Sequence, residues 1–527
     1  MSPSILPADY TDAEKALVEQ VKKGEPWFYS TGKPELDDPA NGADWGVERT
    51  IRAMVIYDLA VRDDSQIHAK GVDIRGAKID GPLELDGAKI PHPLLLGHCF
   101  IGKPITLRNA DALAVNFAGS HVAEIRADGL RTRGSVFLRN GFHATGEVRL
   151  LGAKIDGDLD CLGGTFENAN GEALSADAAT VDGSVLLSDG FHANGEVCLL
   201  GAKIGGQLDC SRGTFENAGG IALNADSATV YGSVFLSNGF QAKGTVRLAG
   251  AKIGGQLDCS GGIFDKANGT ALNLERASVT ATLLLRELRL PPTGAVNLGY
   301  SQVGELIDDE KSWPASGKLE LDGFLYERLA AEAPWRARDR LRWLSLQPDF
   351  RPQPYEQLVR VLREIGHERE AREVAIAKQV QLRRHGGLGF RSRVWSLFLG
   401  FTIAHGYKGG RAFGLLILAW VIGTVMFYSA DRRSVMVPSE KEAYVSYQSA
   451  SKSLPPGYPS FQAWLYALDV FVPGIDLHQK SKWSLHERDP GDRWHWPWEL
   501  GLVVYFVVCW LLTLIGVGAV TGLLRPK

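Results

Sequence analysis

The chain as a whole has little excess of charge of either sign. Over 527 residues 57 Lys and Arg stand against 61 Asp and Glu, a formal net charge of −4. That balance lacks the electrostatic footprint of a nucleic-acid-binding chain, and no nucleic acid is expected as a partner. Cysteine is scarce at 6 residues, with no short paired spacings, which argues against a disulfide framework or a zinc site. There is no Gly-x-Gly-x-x-Gly after a strand pattern, no phosphate loop, no Cys-x-x-Cys and no His-Glu-x-x-His. No catalytic residue, metal or cofactor is therefore assigned. The segment from Met1 to Tyr10 has neither a basic start nor an apolar run, so no secretory signal is expected.

What the chain has instead is repetition. Gly134-Ser-Val-Phe-Leu, Gly183-Ser-Val-Leu-Leu and Gly232-Ser-Val-Phe-Leu open three units of 49 residues, 134–182, 183–231 and 232–280. A fixed period means a solenoid, in which each unit buries its apolar face only against its neighbours. The 60 glycines fit a fold that bends every few residues. Val72-Asp-Ile74, Ala77-Lys-Ile79, Leu83-Glu-Leu85 and Ala88-Lys-Ile90 show the grammar, inward residues flanking an outward one with glycine between. Four such faces use about 24 residues, so one unit makes two coils, with roughly ten coils between 71 and 305.

The fold class expected is mainly β: a right-handed quadrilateral-type β-helix with a helical N-terminal cap, a C-terminal helical hairpin and two transmembrane helices. The domains are a cap at 1–69, the solenoid at 70–305, a helical linker and hairpin at 315–390, and a membrane domain at 391–527. In the cap, Thr11-Asp-Ala-Glu14 is a capping box and a second helix is expected from Gly46 to Leu59. Behind the solenoid, Phe324 to Ala331 and Arg336 to Leu346 are expected to be helical. Tyr355 to Glu364, a turn at Gly366, and Glu368 to Arg384 form the hairpin.

The apolar runs at about 412–430 and 500–524 are each long enough to cross a bilayer core of roughly 30 Å. Basic residues outside both runs (Arg391, Arg393, Lys408 and Arg411 before the first, Arg525 and Lys527 after the second) place both termini in the cytoplasm, with 431–499 as the external loop. Val394 to Ile403 and Phe461 to Phe471 are expected to lie at the membrane surface. Gly518-x-x-x-Gly522 permits close helix packing and a homo-oligomer through the second run.

Within the repeat, Cys161, Cys210 and Cys259 form a column of small core residues, two coils apart and beyond disulfide reach. Asp160, Asp209 and Asp258 beside them are expected to point outward as a solvated edge. Glu167, Asn168, Glu216, Asn217 and Asp265 recur in loops closed by Gly171, Gly220 and Gly269. Repeated protruding loops are where a solenoid meets its partner, so these five residues are the candidate interaction loops. His143 and His192 share a column that Gln241 breaks, which speaks against a metal ladder.

The five-or-six-residue steps, as in Ala153-Lys-Ile155 and Ala202-Lys-Ile204, resemble pentapeptide-repeat β-helices. The phrase from Gly146 to Leu174, with Trp45-Gly46 to Arg52 and Pro354 to Leu358, is similar to a group of bacterial membrane-anchored repeat proteins often labelled membrane-associated oxidoreductase. That resemblance implies a solenoid ahead of membrane spans in the bacterial inner membrane; no residue here supports the oxidoreductase label. The reading carried forward is a membrane-anchored scaffold that presents its repeat surface to an unknown protein partner at the cytoplasmic face. The alternatives are an oligomeric two-span channel with a sensor solenoid, for which the potassium selectivity sequence is missing, and an enzyme such as a glycan-active β-helix.

Overall fold

The computed structural model describes residues 9–63, 67–385, 409–449, 453–471, 476–485 and 496–520. They fall into two compact units, Met1–Val374 and Ala375–Lys527.

The first unit is a parallel β-solenoid with helices at its ends. Its first coil consists of Val72–Arg75, Lys78–Asp80, Leu83–Glu84 and Lys89–Ile90. Leu94–Gly97, Phe100–Ile101, Ile105–Thr106 and Asp111–Ala112 then stack on these four in parallel register. The pattern continues for about eleven turns, giving four faces, numbered one to four here in chain order. Strands this short suffice because backbone groups that point along the axis bond to the next coil. Corners need residues in the left-handed region. Between faces three and four that residue is Gly152, Ala178, Gly201, Ser227 and Gly250 in successive coils.

Strands of face one begin at Val136, Leu159, Val185, Leu208, Val234 and Leu257, alternately 23 and 26 residues apart. Each 49-residue unit is therefore two coils, a shorter and a longer one. Cys161 and Cys210 are separated by a coil that carries Leu187, and all six cysteines are buried free thiols. Burial pushes the Cys161 and Cys210 thiols well above their ordinary range.

The core contains an element that the sequence reading passed over. Phe142, Phe166, Phe191, Phe215, Phe240 and Phe264 are all buried, and each ring lies 5.1–5.5 Å from the next, tilted by 36–48°. That offset geometry suits aromatic quadrupoles better than a flat stack.

The aspartate column differs from expectation. Asp160 is only 4% exposed, and its carboxylate accepts from Arg139 at 2.7 Å and from the Leu162 amide. Asp209 and Asp258 accept in the same way from the amides of Ser211 and Ser260. Asp160 thus folds back to hold a corner rather than face solvent, while Asp209 and Asp258 make the same Asx-type bond and stay partly exposed.

Both ends close the sheets with strands borrowed from segments that look helical. Thr50–Arg52, expected within a helix, pairs in parallel with Lys78–Asp80, and the helix is confined to Ala53–Ala60. Trp27–Phe28 covers face one in the same manner. The capping box forms on Asp12–Lys23, and buried Glu14 pairs with Arg52 at 2.8 Å, tying the cap to that edge strand. At the other end Leu325–Leu329 is a strand, not a helix, and pairs with Gln302–Asp308. Phe324 and Tyr326 point into the core, and an open edge supplies ladder bonds that a helix would forfeit. The expected helices do form over Ala337–Leu344, Pro352–Glu364 and Glu368–His385. Gln357 donates from its side-chain amide to the Tyr326 carbonyl at 2.6 Å, finishing the last strand.

In the second unit, Gly409–Arg432, Ala463–Phe471 and Trp496–Val520 are helices. Phe427, Ala430, Tyr466, Ala467, Val470, Tyr505 and Cys509 form their common core with Trp483. Ala463–Phe471 packs into this cluster rather than lying free, and Tyr505 donates to the Ala467 carbonyl at 3.1 Å. The Asp469 carboxylate accepts from the amides of Leu477, Gln479 and Lys480 and so fixes the segment after that helix. Val394 to Ile403 and Gly522 lie outside the described residues.

Among the described residues one helix is long and apolar enough to cross a membrane, Phe413–Arg432, with a mean hydropathy of 2.0. A shorter apolar stretch, Glu499–Leu514, lies within the last helix. Phe413, Ile417, Val421, Val425 and Tyr428 on the first and Val503, Val507, Leu511 and Leu514 on the second are exposed.

Candidate interaction edge

The strands Thr165–Ser175 and Thr214–Asn224 each run from face two into face three, with a bulge at the corner between them. In the first, Glu167 opposes Asn194 and Glu172 opposes Glu196, so residues 168–171 stand against the single Gly195. In the second, residues 217–220 stand against Gly244. Asp265 and Lys266 start a third loop on the same corner. The three loops thus recur every second coil, about 9.6 Å apart at the usual strand spacing.

Each loop rests on a glycine of the next coil. Gly195 and Gly244 have φ of 131° and 141°, which other residues rarely adopt, and a side chain there would collide with the carbonyls of Asn168 and Asn217 respectively. Gly294 sits under the Lys266 carbonyl in the same way.

The structure brings the five candidate residues onto one edge and gives four of them a hydrogen-bonded partner within the solenoid. Asn168 and Asn217 donate from their side-chain amides to the carbonyls of Glu172 and Ile221, both at 2.9 Å, closing the loops. Glu216 pairs with Lys243 at 2.7 Å, and Glu167 lies 3.4 Å from His143. Asp265 accepts from the Thr293 hydroxyl at 2.9 Å. Lys266 takes the place of the loop asparagine, and its ammonium reaches the Ala218 and Gly220 carbonyls, joining the third loop to the second. The outermost positions are small: Ala169, Asn170 and Gly171 in the first loop, Ala218 and Gly219 in the second, Ala267, Asn268 and Gly269 in the third. The edge therefore offers backbone and small side chains, with Glu216 and Asp265 bonded to the neighbouring coil. Gly518 lies in the helix Trp496–Val520, and its proposed partner Gly522 is beyond the described residues.

Beside the edge, face three carries Glu172, Asp177 and Cys198, whose ligand atoms lie within 4.8 Å of one another. Burial raises the Cys198 thiol well above its ordinary range, and its hydrogen bond to Asp177 raises it further. The thiol is thus a protonated donor in this group and not a thiolate. Glu196, next to it, is raised by burial and by the charges of Glu172 and Asp177, against the lowering effect of Asn224. A carboxyl whose folded pKa lies above its unfolded one favours folding as pH falls through the folded value and opposes it at neutral pH. Glu196→Gln is expected to raise the melting temperature at pH 7, with the gain shrinking to nothing once the wild-type carboxyl is protonated. Melting curves across pH 3–8 check this.

No protein-family model, curated protein or solved structure matches the chain. The fold and the edge define its class on their own terms: a β-solenoid repeat scaffold.

Proposed function

We propose that this chain is a membrane-anchored scaffold that binds a protein partner along the loop edge of its solenoid. The observation that carries the reading is the set of three loops, at two-coil intervals on one corner, each seated on a glycine. Recognition at such an edge sums many weak contacts rather than filling one pocket.

The membrane part of the reading rests on the exposed apolar residues of the two long helices, too extensive a surface for water. On this reading both helices cross the bilayer. The basic residues that flank them orient both termini to the cytoplasm of a bacterial cell.

A photo-crosslinker placed at Asn170 or Gly219 in native membranes is expected to capture one specific protein, while the same probe at the exposed Asp182, on the corner between faces four and one, does not. Crosslinks only between copies through the last helix would sink the scaffold reading. Asn168→Ala with Asn217→Ala removes both loop closures, at roughly 0.5–1.5 kcal/mol each. Capture should fall sharply in that variant while the melting profile keeps its shape.

A further inference from the structure

We infer that face four of the solenoid is a docking surface for an anionic lipid headgroup layer. Its outward positions carry Lys89, Arg131, Arg133, Lys154, Lys203 and Lys252, all exposed. None of them makes an ion pair among the described residues, whereas several cations on the other faces do. On face three Arg126 pairs with Glu124, Arg149 with Asp128 and Arg247 with Asp226. On face two Lys243 pairs with Glu216, and on face one Arg139 pairs with Asp160.

Carboxylates on face four are Asp111, Asp156 and Asp182, and none occupies an outward position of its strands from Lys203 to Thr280. In that stretch the outward residues between the lysines are small or aromatic. Thr229 separates Lys203 from Lys252 along the stacked register. Tyr231 is 69% exposed, with Gly205 and Gly254 at the matching positions of the coils on either side. Lys203 and Lys252 are two coils apart, about 9.6 Å, on the stacked strands of this face.

A face that sets unpaired ammonium groups around one projecting tyrosine matches an anionic interface. Lysine is drawn to such a layer by the surface potential, roughly fivefold in affinity per residue, and tyrosine settles at headgroup depth. The inference rests on the membrane reading above for the presence of a bilayer. In the square section of the coil face four lies opposite face two, so a solenoid resting on it turns the loop corner between faces two and three away from the lipid.

The test uses the full-length protein reconstituted into phosphatidylcholine vesicles, with and without 30% phosphatidylglycerol. Flotation reads insertion, and an amine-reactive probe read by mass spectrometry reads each lysine. Lys154, Lys203 and Lys252 are expected to label at least fivefold more slowly in the anionic vesicles and to recover in 0.5 M salt, with Lys103 unchanged. Lys203→Gln with Lys252→Gln should abolish the protection of Lys154 without lowering the melting temperature. Equal labelling in both vesicle types, with flotation intact, would overturn the inference. So would protection produced by added heparin and not by the anionic lipid, which would assign the face to a soluble polyanion. Failure to float at all would refute the membrane reading and the inference with it.

Discussion

Phe215→Ala is expected to destabilise the solenoid by about 3–5 kcal/mol, the usual cost of deleting a buried phenyl ring. The loss has two parts. The ring leaves a cavity that Ala193 and Ala242, buried in the coils on either side, are too small to fill. It also removes both neighbours' contact at once, since Phe191 and Phe240 sit 5.1 and 5.3 Å from its centroid. Each coil contacts only the coils beside it, so the damage is local in space but cuts the rod in the middle. Chemical denaturation should change from one transition toward two, with hydrogen exchange accelerated around residues 190–245 and unchanged at the N-terminal cap. A single transition shifted by less than about 1 kcal/mol would mean that the ladder is ornamental to stability.

Arg340→Ala is expected to cost about the same, roughly 3–5 kcal/mol, for a different reason. The guanidinium grips the Asp308 carboxylate with two hydrogen bonds of 2.7 and 2.8 Å, and the Trp313 indole donates to it at 2.9 Å. Both charged residues are almost wholly buried. Removing the arginine strands a carboxylate where water does not reach, and the last coil with its covering helices should open first. Replacing both partners together, Arg340→Met with Asp308→Leu, takes away the stranded charge and should recover most of the loss. Denaturant midpoints of the two single variants and the double variant decide it: additive losses would show that the pair is not coupled.

The repeat made much of the architecture readable in advance. Gly-Ser-Val at a fixed interval and Ala-Lys-Ile between glycines announce the coil, and the distance from Cys161 to Cys210 correctly implies two coils per unit. The phenylalanine ladder was open to the same logic, since its members fall 24 or 25 residues apart. It escaped because alternate rings occupy different local positions: Phe142 precedes its strand, whereas Phe166 lies within one. The ends were misread for a physical reason. Thr50 to Arg52 and Leu325 to Leu329 have no strong local preference, and the open edge of the neighbouring coil decides their conformation. The loops were visible as interruptions of the repeat. That Asn168 and Asn217 close them, and that Glu216 is committed to Lys243, depends on which coil lies next, and one segment read alone does not contain that. Likewise the lysines of face four stand out in sequence, while their lack of partners is a property of the assembled sheet.

The alternation of a plain coil with a loop-bearing coil also sets a rule of register. Anything that grips two neighbouring loops has only two berths along this edge, and anything that grips all three has one. A ligand cannot creep along by a single coil, because the intervening coil offers a continuous strand where the grip should be. Movement must occur in steps of about 9.6 Å, and the number of copies seated is set by how many loops each one spans. The edge is thus a graduated rule with three marks.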